Sequence, residues 1–370
     1  MHVRARSEQD RSSAGIGPEP GRRQLSRKPL RPALRRRMQG VVPPTTQPIQ
    51  LAFLGCGFIT SVHSRQLARL GDEFVAGYAS RDLQRAKDYC RRFAGSRAYG
   101  SYAAALEDED VDAVVVAVPP RWHAELTVAA LEAGKHVLVE KPAFPTRAEY
   151  ELVRAARDDA GRVVCVGEND HYKPLAVTLR RLLADGVIGD LVLAQFTSVA
   201  DRPKPADDWR NDETLAGGDA FFEEGIHWLH LADSLGPRIA EVHGYRPAPA
   251  AARDGDRRLR SMLVAFTYDT GAAGALYYSR EIPSVLRGLR WSKLYGRRGV
   301  ITFESNGTIV AAPGRRTPRL IAPGLADIRG YRAMYADFAR AIRDGGSPEM
   351  SLERALADHA LMEQVYDRQD

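Results

Sequence analysis

The chain has 370 residues, 44% of them hydrophobic, which is enough for two domains with separate cores. It contains no run of about 18 apolar residues, so we expect no membrane span. The cysteines Cys56, Cys90 and Cys165 are odd in number and lack metal-ligand spacing. They indicate buried thiols in a reducing compartment, which predicts a cytoplasmic protein with no disulfide framework and no metal site.

The formal net charge of +6 originates in the N-terminal segment. Residues 1–40 contain eleven Lys and Arg residues against three Asp and Glu residues, a net charge of +8, so the remainder carries −2. We therefore expect no nucleic-acid binding by the body of the protein. Residues 1–48 show no periodic apolar pattern and are predicted to be a disordered, Arg- and Pro-rich tail. One alternative is that the tail binds an anionic partner. Another is that translation starts at Met38, in which case most of the tail is not part of the protein.

The stretch 51–60 joins a short apolar run to two glycines and then to a helical pattern. This order is typical of the strand–turn–helix unit that binds a dinucleotide, in which Gly55 permits the tight turn and Gly57 lets the backbone approach a pyrophosphate. Phe58 and Ile59 follow the glycines and belong to the predicted cofactor contact. The third fingerprint position carries threonine, so a glycine turn that merely joins strand to helix is the alternative.

From residue 50 onward, strand and helix patterns alternate, which predicts an α/β fold built on a doubly wound parallel sheet. The predicted strands are 50–54, 74–80, 111–118, 136–139 and 162–167, and the predicted helices are 61–70, 83–93, 124–133 and 147–160. Such sheets bind ligands outside the carboxyl ends of their strands, so polar residues at those ends are the candidates for function.

The end of the second strand is where such a sheet meets the adenosine ribose of a dinucleotide. An acidic residue there would select NAD(H), but this chain has Ser80 followed by Arg81. A hydroxyl and a guanidinium suit a 2′-phosphate, so we predict NADP(H) in preference to NAD(H), which stays possible. The alternative is that Arg81 is a solvated turn residue.

Two further strand ends carry candidate residues. Pro119 and His123 follow the third strand, and we predict them beside the cofactor, with a packing role as the alternative for His123. Glu140 and Lys141 end the fourth strand, where Pro142 fixes the chain, and both are predicted cofactor contacts. The Lys141 ammonium could also hold a substrate oxygen or stabilise a developing alkoxide. A surface ion pair between the two is the alternative.

Four segments follow one another in a fixed order: Gly55-Cys-Gly57, Ala133-Gly-Lys-His-Val137, Glu140-Lys-Pro142 and Gly167-Glu-Asn169. Together they resemble the glucose–fructose oxidoreductase/inositol dehydrogenase (Gfo/Idh/MocA) family over about residues 50–368. The resemblance implies a Rossmann domain, residues 49–168, and an α/β domain, residues 169–370, with a large, mostly antiparallel open sheet. It implies nicotinamide-dependent redox chemistry at a carbinol or carbonyl carbon, and by analogy a homo-oligomer formed through the open sheet.

The second half of the chain fits such a domain, because apolar segments recur between Gly and Pro residues. The predicted helices are 175–186, 331–344 and 351–367, and the predicted strands are 190–200, 239–246, 260–269, 272–280, 289–296, 300–304 and 308–312. The alternating pattern of the strands is compatible with a sheet that is covered on one face.

The segment 217–230 contains the predicted chemical centre. The resemblance assigns His227 to the family's catalytic histidine, with Glu223 and His230 at positions where the family usually has Asp. On a helix, Glu223 and His227 are four residues apart and face the same way, so the carboxylate would orient the imidazole and tune its pKa. The alternative is a histidine that packs between domains.

The resemblance also places Asn169, His171 and Tyr172 along the cleft, as candidate substrate contacts. Trp209 and Arg210 precede the glycines of the segment 217–230, in a loop that could close over the site. Ordinary loop packing is the alternative for each of these five residues.

The sequence therefore predicts an NADP(H)-dependent oxidoreductase that transfers hydride between nicotinamide and a carbinol or carbonyl carbon of a sugar-, inositol- or polyol-like small molecule. In this hypothesis Lys141, His227 and Glu223 are catalytic, and His227 also contacts the substrate. Two alternatives are an enzyme that holds its cofactor tightly for net non-redox chemistry, and a non-catalytic NADP(H)-binding or regulatory protein.

Overall fold

The apolar run before Gly55 forms the central strand of a parallel sheet. The strands are β1 (Ile49–Leu54), β2 (Phe74–Ala79), β3 (Ala98–Tyr99), β4 (Ala113–Val116), β5 (His136–Glu140) and β6 (Val164–Gly167). In the computed structural model, which describes residues 47–205, 207–247, 260–283 and 289–367, the strand order is β3-β2-β1-β4-β5-β6. The predicted Rossmann sheet is confirmed, whereas the predicted tail, apart from its last two residues, lies outside the described residues.

Helices connect these parallel strands, as the alternating sequence pattern predicts. They are α1 (Phe58–Leu67), α2 (Leu83–Arg92), α3 (Tyr102–Glu107), α4 (His123–Glu132) and α5 (Arg147–Ala160). α1 begins directly after the glycine turn, three residues earlier than predicted. β3 and α3 were not predicted, because two and six residues are too few to show an apolar period.

The second half forms a large sheet with one covered face. Its strands are β7 (Leu191–Val199), β8 (Ile239–Tyr245), β9 (Ser261–Tyr268), β10 (Ala273–Ser279), β11 (Trp291–Gly296), β12 (Gly299–Glu304), β13 (Val310–Ala312) and β14 (Arg319–Ile321). Their order is β14-β13-β12-β11-β7-β10-β9-β8. β7 and β10 pair in parallel, and the other described pairs are antiparallel, which confirms the predicted mostly antiparallel sheet.

The remaining helices are α6 (Pro174–Ala184), α7 (Glu213–Ala216), α8 (Ala220–Asp233), α9 (Tyr331–Asp344) and α10 (Leu352–Asp367). α6, α8 and α10 pack on the covered face of the second sheet. α9 instead joins the core of the first sheet, where Tyr335 and Phe338 are buried with Phe53. Part of the predicted second domain therefore completes the first. Within the described chain, no helix combines the length and apolarity needed to cross a bilayer.

The other face of the second sheet carries partly exposed apolar side chains. Leu193, Tyr277, Trp291 and Val300 share this face by strand register, and each is 40–51% exposed. Apolar surface of this kind is suited to pairing with another protein surface. The homo-oligomer stays a prediction, which sedimentation velocity can check.

Gly55 has a backbone conformation that positions the turn after β1. Its φ is +117°, and a Cβ at this residue would lie 2.4 Å from the carbonyl oxygen of Ala117. Both the conformation and the close approach therefore require glycine. Gly57 differs, because its φ is −106° and a Cβ there would meet no described atom within 4 Å.

We expect Gly55→Ala to lower the free energy of unfolding by roughly 1–3 kcal/mol, because the methyl group clashes with backbone and the positive φ becomes strained. Gly57→Ala is the matched control and should leave stability within about 0.5 kcal/mol. Urea unfolding followed by circular dichroism measures both. Equal stability of Gly55→Ala and the wild type would contradict the assignment.

Candidate active site

The glycine turn leaves an open cradle at the N-terminus of α1. Among the described residues no side chain caps this helix, and the space where a Gly57 Cβ would lie is empty. Free N–H groups at a helix N-terminus bind phosphate. Phe58, the first helical residue, is 71% exposed, and Ile59 is half-buried. The residues present therefore fit the pyrophosphate of a dinucleotide.

Thr60, at the third fingerprint position, is part of this turn. Its hydroxyl donates to the Gly55 carbonyl oxygen at 2.8 Å, and Ser64 Oγ donates to the Thr60 carbonyl oxygen at 2.7 Å. The threonine is fully buried. Threonine in place of the usual glycine or alanine thus stabilises the turn through its hydroxyl and does not occupy the cradle.

Ser80 and Arg81 lie where β2 ends. Ser80 is buried and its Oγ accepts a hydrogen bond from the backbone N–H of Asp82 at 3.2 Å, while Arg81 is exposed. The nearest carboxylate, Asp82, caps α2 by accepting from the N–H groups of Gln84 and Arg85. The strand end thus presents the Arg81 guanidinium to solvent, whereas the Asp82 carboxylate is bonded to the N-terminus of α2.

His123 begins α4, as expected, but it is not placed as a cofactor contact. Its ring is fully buried, with Nε2 2.8 Å from the Val118 carbonyl oxygen and Nδ1 2.9 Å from the Ala143 carbonyl oxygen. Both ring nitrogens are thus engaged by backbone, which favours the packing alternative, and the cofactor contact of His123 stays a prediction. Pro119, in contrast, is half-buried at the carboxyl end of β4.

Glu140 also points into the protein. Its Oε1 lies 2.7 Å from His63 Nε2, and the other ring nitrogen of His63 is 2.6 Å from the Tyr335 hydroxyl. Burial raises the pKa of Glu140, but the contact with His63 and the charge of Lys141 outweigh it, so the net shift is downward. The carboxylate thus links β5 to α1 in the interior, and the predicted cofactor contact of Glu140 stays a prediction.

Lys141 reaches across to α8. Its Nζ donates to the backbone carbonyl oxygen of Glu223 at 3.1 Å and lies 3.7 Å from Glu223 Oε1. Burial alone would lower the pKa of Lys141, but the carboxylates of Glu223 and Glu140 raise it, and the net shift is upward. The side chain is therefore a protonated ammonium held beside the helix that carries His227.

Glu223 is surrounded by cations. Besides Lys141, its carboxylate lies 3.2 Å from Arg210 Nε and 3.5 Å from Arg280 Nη1. Burial alone would raise the pKa of Glu223. These cations and Lys204 lower it by more, so the net shift is downward and the group stays ionised. A buried carboxylate requires such compensation.

His227 has a different carboxylate partner from the one that helical spacing predicts. Its Nδ1 lies 2.7 and 2.8 Å from the two carboxylate oxygens of Glu168, which directly follows β6. The predicted contact with Glu223 is absent among the described residues, because Glu223 turns toward its cations. The carboxylate of Glu168 only accepts, so Nδ1 carries the proton and Nε2 is left as a proton acceptor.

Glu168 is not among the site residues predicted from the sequence, although its position at a strand's carboxyl end is itself a signal. Ligand atoms of Glu168, Asp170 and His227 lie within 4.8 Å of one another. Burial raises the pKa of Asp170, but Lys173, whose Nζ is 2.6 Å away, and then His227 and Lys141 lower it to about 2. A lysine therefore already neutralises this carboxylate, and the absence of a metal stays a prediction.

His171 lies in a buried chain of hydrogen bonds. Asp358 Oδ2 is 2.8 Å from His230 Nδ1, His230 Nε2 is 2.9 Å from His171 Nδ1, and His171 Nε2 is 2.9 Å from Glu349. Burial alone would lower the pKa of His230, but Asp358 raises it, whereas burial and the neighbouring cations lower the pKa of His171 to about 2. His230 is thus the charged member, and the pair clamps α8 to the turn after Glu168.

The other predicted cleft residues are mostly used inside the protein. Tyr172 is buried and donates to Asp337 at 2.8 Å, and Asn169 Nδ2 donates to the Arg329 carbonyl oxygen at 2.7 Å. Both side chains, His171 and Tyr172, bond to neighbouring helices and loops, and their substrate contacts stay predictions. Trp209 stacks beneath the Arg210 guanidinium at 4.8 Å, in the loop beside Glu223.

The fold and the site together define a class of protein: a nucleotide-binding α/β protein in which a lysine, a histidine and two carboxylates meet beyond the carboxyl ends of the first sheet. The model of the oxidoreductase family with an NAD-binding Rossmann fold (GFO_IDH_MocA) matches residues 49–168, and the GFO/IDH/MocA C-terminal domain matches residues 176–302. The chain belongs to the Gfo/Idh/MocA family of NAD(P)-dependent oxidoreductases.

Two of the relatives are named as sugar dehydrogenases. Levoglucosan dehydrogenase of Pseudarthrobacter phenanthrenivorans is 25% identical over 339 residues, covering 75% of this chain and 84% of that protein. D-xylose 1-dehydrogenase (NADP(+)) 2 of Haloferax volcanii is 28% identical over 274 residues, covering 73% and 82%. A structure of levoglucosan dehydrogenase with NADH and levoglucosan has the same fold, with a TM-score of 0.76, 22% identity and coverage of 87% and 98%.

The depressed pKa of His171 predicts a pH dependence of stability. The folded pKa is about 2 and the ordinary value is 6.5, so below pH 6.5 the unfolded chain takes up a proton that the folded chain does not. Stability is therefore lost as pH falls, and His171→Gln should reduce the slope between pH 6 and pH 5 by about 1 kcal/mol per pH unit.

Urea unfolding at the two pH values measures this slope. Tyr172→Phe is the control, since it removes a neighbouring buried hydroxyl without removing a histidine, and it should lower stability equally at both pH values. An unchanged slope in His171→Gln would refute the proposed neutral state.

Proposed function

We propose that this protein is a dehydrogenase or reductase, with NADP(H) preferred, that acts at a carbinol or carbonyl carbon of a sugar- or polyol-like molecule. The observation that carries the proposal is the setting of His227, which is bonded to Glu168 and lies one helical turn from the residue that holds Lys141. Membership of the family supports the redox chemistry, and the named activities of the relatives support the substrate class.

His227 is the proton-transfer group in this proposal. Its Nδ1–H is fixed by Glu168, so Nε2 can accept a hydroxyl proton during oxidation and return it during reduction. The carboxylate holds the ring in one tautomer and stabilises the imidazolium that forms. Glu168 thereby takes the orienting role that helical spacing assigns to Glu223.

Lys141 stabilises negative charge on the reacting oxygen. Its ammonium is protonated and anchored by the backbone oxygen of Glu223, which directs it to the side of α8 that carries His227. A fixed positive charge in a partly buried site lowers the energy of a developing alkoxide. Glu223 is a positioning residue here, because it balances the charge of Lys141.

The cofactor would lie along the ends of the parallel strands. Gly57, Phe58 and Ile59 would bind the pyrophosphate through backbone N–H groups, and Ser80 with Arg81 would bind a 2′-phosphate. Pro119 lies at a strand end in the same row. When bound, the nicotinamide accepts or supplies the hydride, which no side chain of the protein can do.

We expect His227→Asn to lower kcat with a sugar or polyol substrate by roughly 10²–10⁴-fold, because proton transfer is lost, while leaving cofactor affinity unchanged. Glu168→Gln should lower kcat less and shift its pH profile, because the ring loses its charged partner. Steady-state rates of NADPH formation measure both, and His243→Asn on β8 is the matched control. Wild-type turnover by His227→Asn would exclude the mechanism.

The cofactor preference has a separate test. Arg81→Gln should weaken NADPH binding by about tenfold, the usual effect of losing one charge-assisted hydrogen bond, and leave NADH binding unchanged. Fluorescence titration measures both affinities, with Arg91→Gln on α2 as the control. Equal effects on the two cofactors, or tighter NADH binding by the wild type, would refute the preference.

A further inference from the structure

Three arginines converge at one edge of the second sheet. Arg202 lies three residues after β7, Arg280 directly follows β10, and Arg290 directly precedes β11. Because β7 and β10 are parallel and β11 runs antiparallel to β7, these three strand ends share one edge. The backbone N–H of Arg202 donates to the carbonyl oxygen of Arg280 at 2.8 Å.

Two of the guanidinium groups share one hydroxyl. Arg202 Nη2 and Arg290 Nη1 donate to Ser198 Oγ at 3.1 and 3.2 Å. Burial lowers the pKa of Arg290, and the charge of Arg202 lowers it further, although Glu304 and Asp170 oppose this effect. Like charges held this close repel each other, and the carboxylates of Glu224 and Glu304 offset part of that cost.

Positive charge exceeds negative charge in the ion pairs of this region. Glu223 pairs with three cations, and Glu224 pairs with Arg202 at 3.1 Å and Lys204 at 3.7 Å. With Asp208, which pairs with Arg210, three carboxylates pair with five cations, and Arg290 adds a sixth positive charge beside Glu304. The five paired cations are Lys141, Arg202, Lys204, Arg210 and Arg280.

The arginines also retain unused donors. Arg280 is only 7% exposed, and its Nη1 makes no hydrogen bond among the described residues, although it lies within ion-pair distance of Glu223. Arg202 Nε and Arg290 Nε are likewise buried without an acceptor in the described chain. Buried donors without acceptors are costly, so several at one place indicate an acceptor group that the described residues do not supply.

The cluster is continuous with the candidate active site. The Glu223 carboxylate contacts Lys141 on one side and Arg280 on the other, and Glu224 extends the link to Arg202. Lys141, Arg280 and Arg202 are therefore linked through the neighbouring carboxylates Glu223 and Glu224.

We propose that the substrate of this enzyme is an anionic sugar derivative, whose carboxylate or phosphate group is bound by Arg202, Arg280 and Arg290. The inference rests on the proposed function and names its substrate class more narrowly. Guanidinium groups bind both anions through paired N–H donors, so the two sources share one recognition chemistry.

The test compares neutral and anionic members of matched pairs on the NADP-loaded protein. The probes are D-glucose with D-glucuronate and D-glucose 6-phosphate, and myo-inositol with myo-inositol 1-phosphate. Calorimetry measures affinity and NADPH formation measures turnover. We expect at least one anionic member to bind about tenfold or more tightly than its neutral partner, as one charge-assisted contact provides. The carboxylate and phosphate arms distinguish the two sources.

Variants assign the preference to the cluster. Arg280→Gln and Arg202→Gln should both remove the anionic preference. Arg202→Gln, which leaves the ion pairs of Glu223 in place, should also leave affinity for the neutral partner nearly unchanged. Arg202 is the more exposed of the two, so it remains informative if the buried Arg280 is needed for folding. Arg319→Gln, on exposed β14, is the matched control and should keep the preference.

Three outcomes overturn the inference: neutral members that bind equally or more tightly in every pair, no binding by any anionic member, or a preference that survives both arginine variants. Tight anion binding with no cofactor turnover would remove the proposed function and leave the anion site. Turnover of neutral sugars without an anionic preference would remove the anion site and leave the proposed function.

Discussion

The ion pairs of Glu223 are the interaction on which the second half of the site depends. A carboxylate buried at a domain junction is costly to desolvate, and it is stable here because Lys141, Arg210 and Arg280 surround it. Each cation comes from a different segment: the end of β5, the loop before α7, and the end of β10. One side chain on α8 therefore fixes the first sheet, the second sheet and a loop relative to one another.

That arrangement explains why the histidine takes its partner from elsewhere. With Glu223 occupied, Glu168 at the end of β6 supplies the carboxylate for His227. One helical turn later, His230 contacts His171 in the same way, three residues beyond Glu168. Two contacts, His227 with Glu168 and His230 with His171, thus join α8 to the turn after β6. The second contact helps to hold the His227 ring opposite Glu168. A family site with an altered carboxylate retains an oriented imidazole by this route.

Much of the fold is predictable from sequence because it depends on local pattern. Apolar runs, glycines and strand ends in order predict the parallel sheet and the cradle at Gly57, whereas the assignment of His227 to the same site as Lys141 comes from the family resemblance. The pairing of charged side chains is harder to predict from sequence, because it depends on charges that only the tertiary structure brings together. Helical spacing favours Glu223 for His227, and nothing local shows that three distant cations attract it.

Burial of polar residues is hidden for the same reason. His171 and Tyr172 are polar residues in a segment that follows a strand, a position typical of ligand contacts, yet both are satisfied by α8 and α9 partners that lie 59 and 165 residues away. His123 shows the same effect over a shorter distance. The arginine cluster is equally invisible, since strand order, not sequence order, joins its members.

The return of α9 to the first sheet has a consequence for biosynthesis. Tyr335 and Phe338 are buried in the same core as Phe53, and the Tyr335 hydroxyl contacts His63, so the nucleotide-binding half lacks part of its interior until α9 leaves the ribosome. Domains usually fold one after another as they are synthesised. In this chain the first half must wait for the second, and a fragment that ends at the boundary between the two sheets would expose apolar surface that the intact protein conceals.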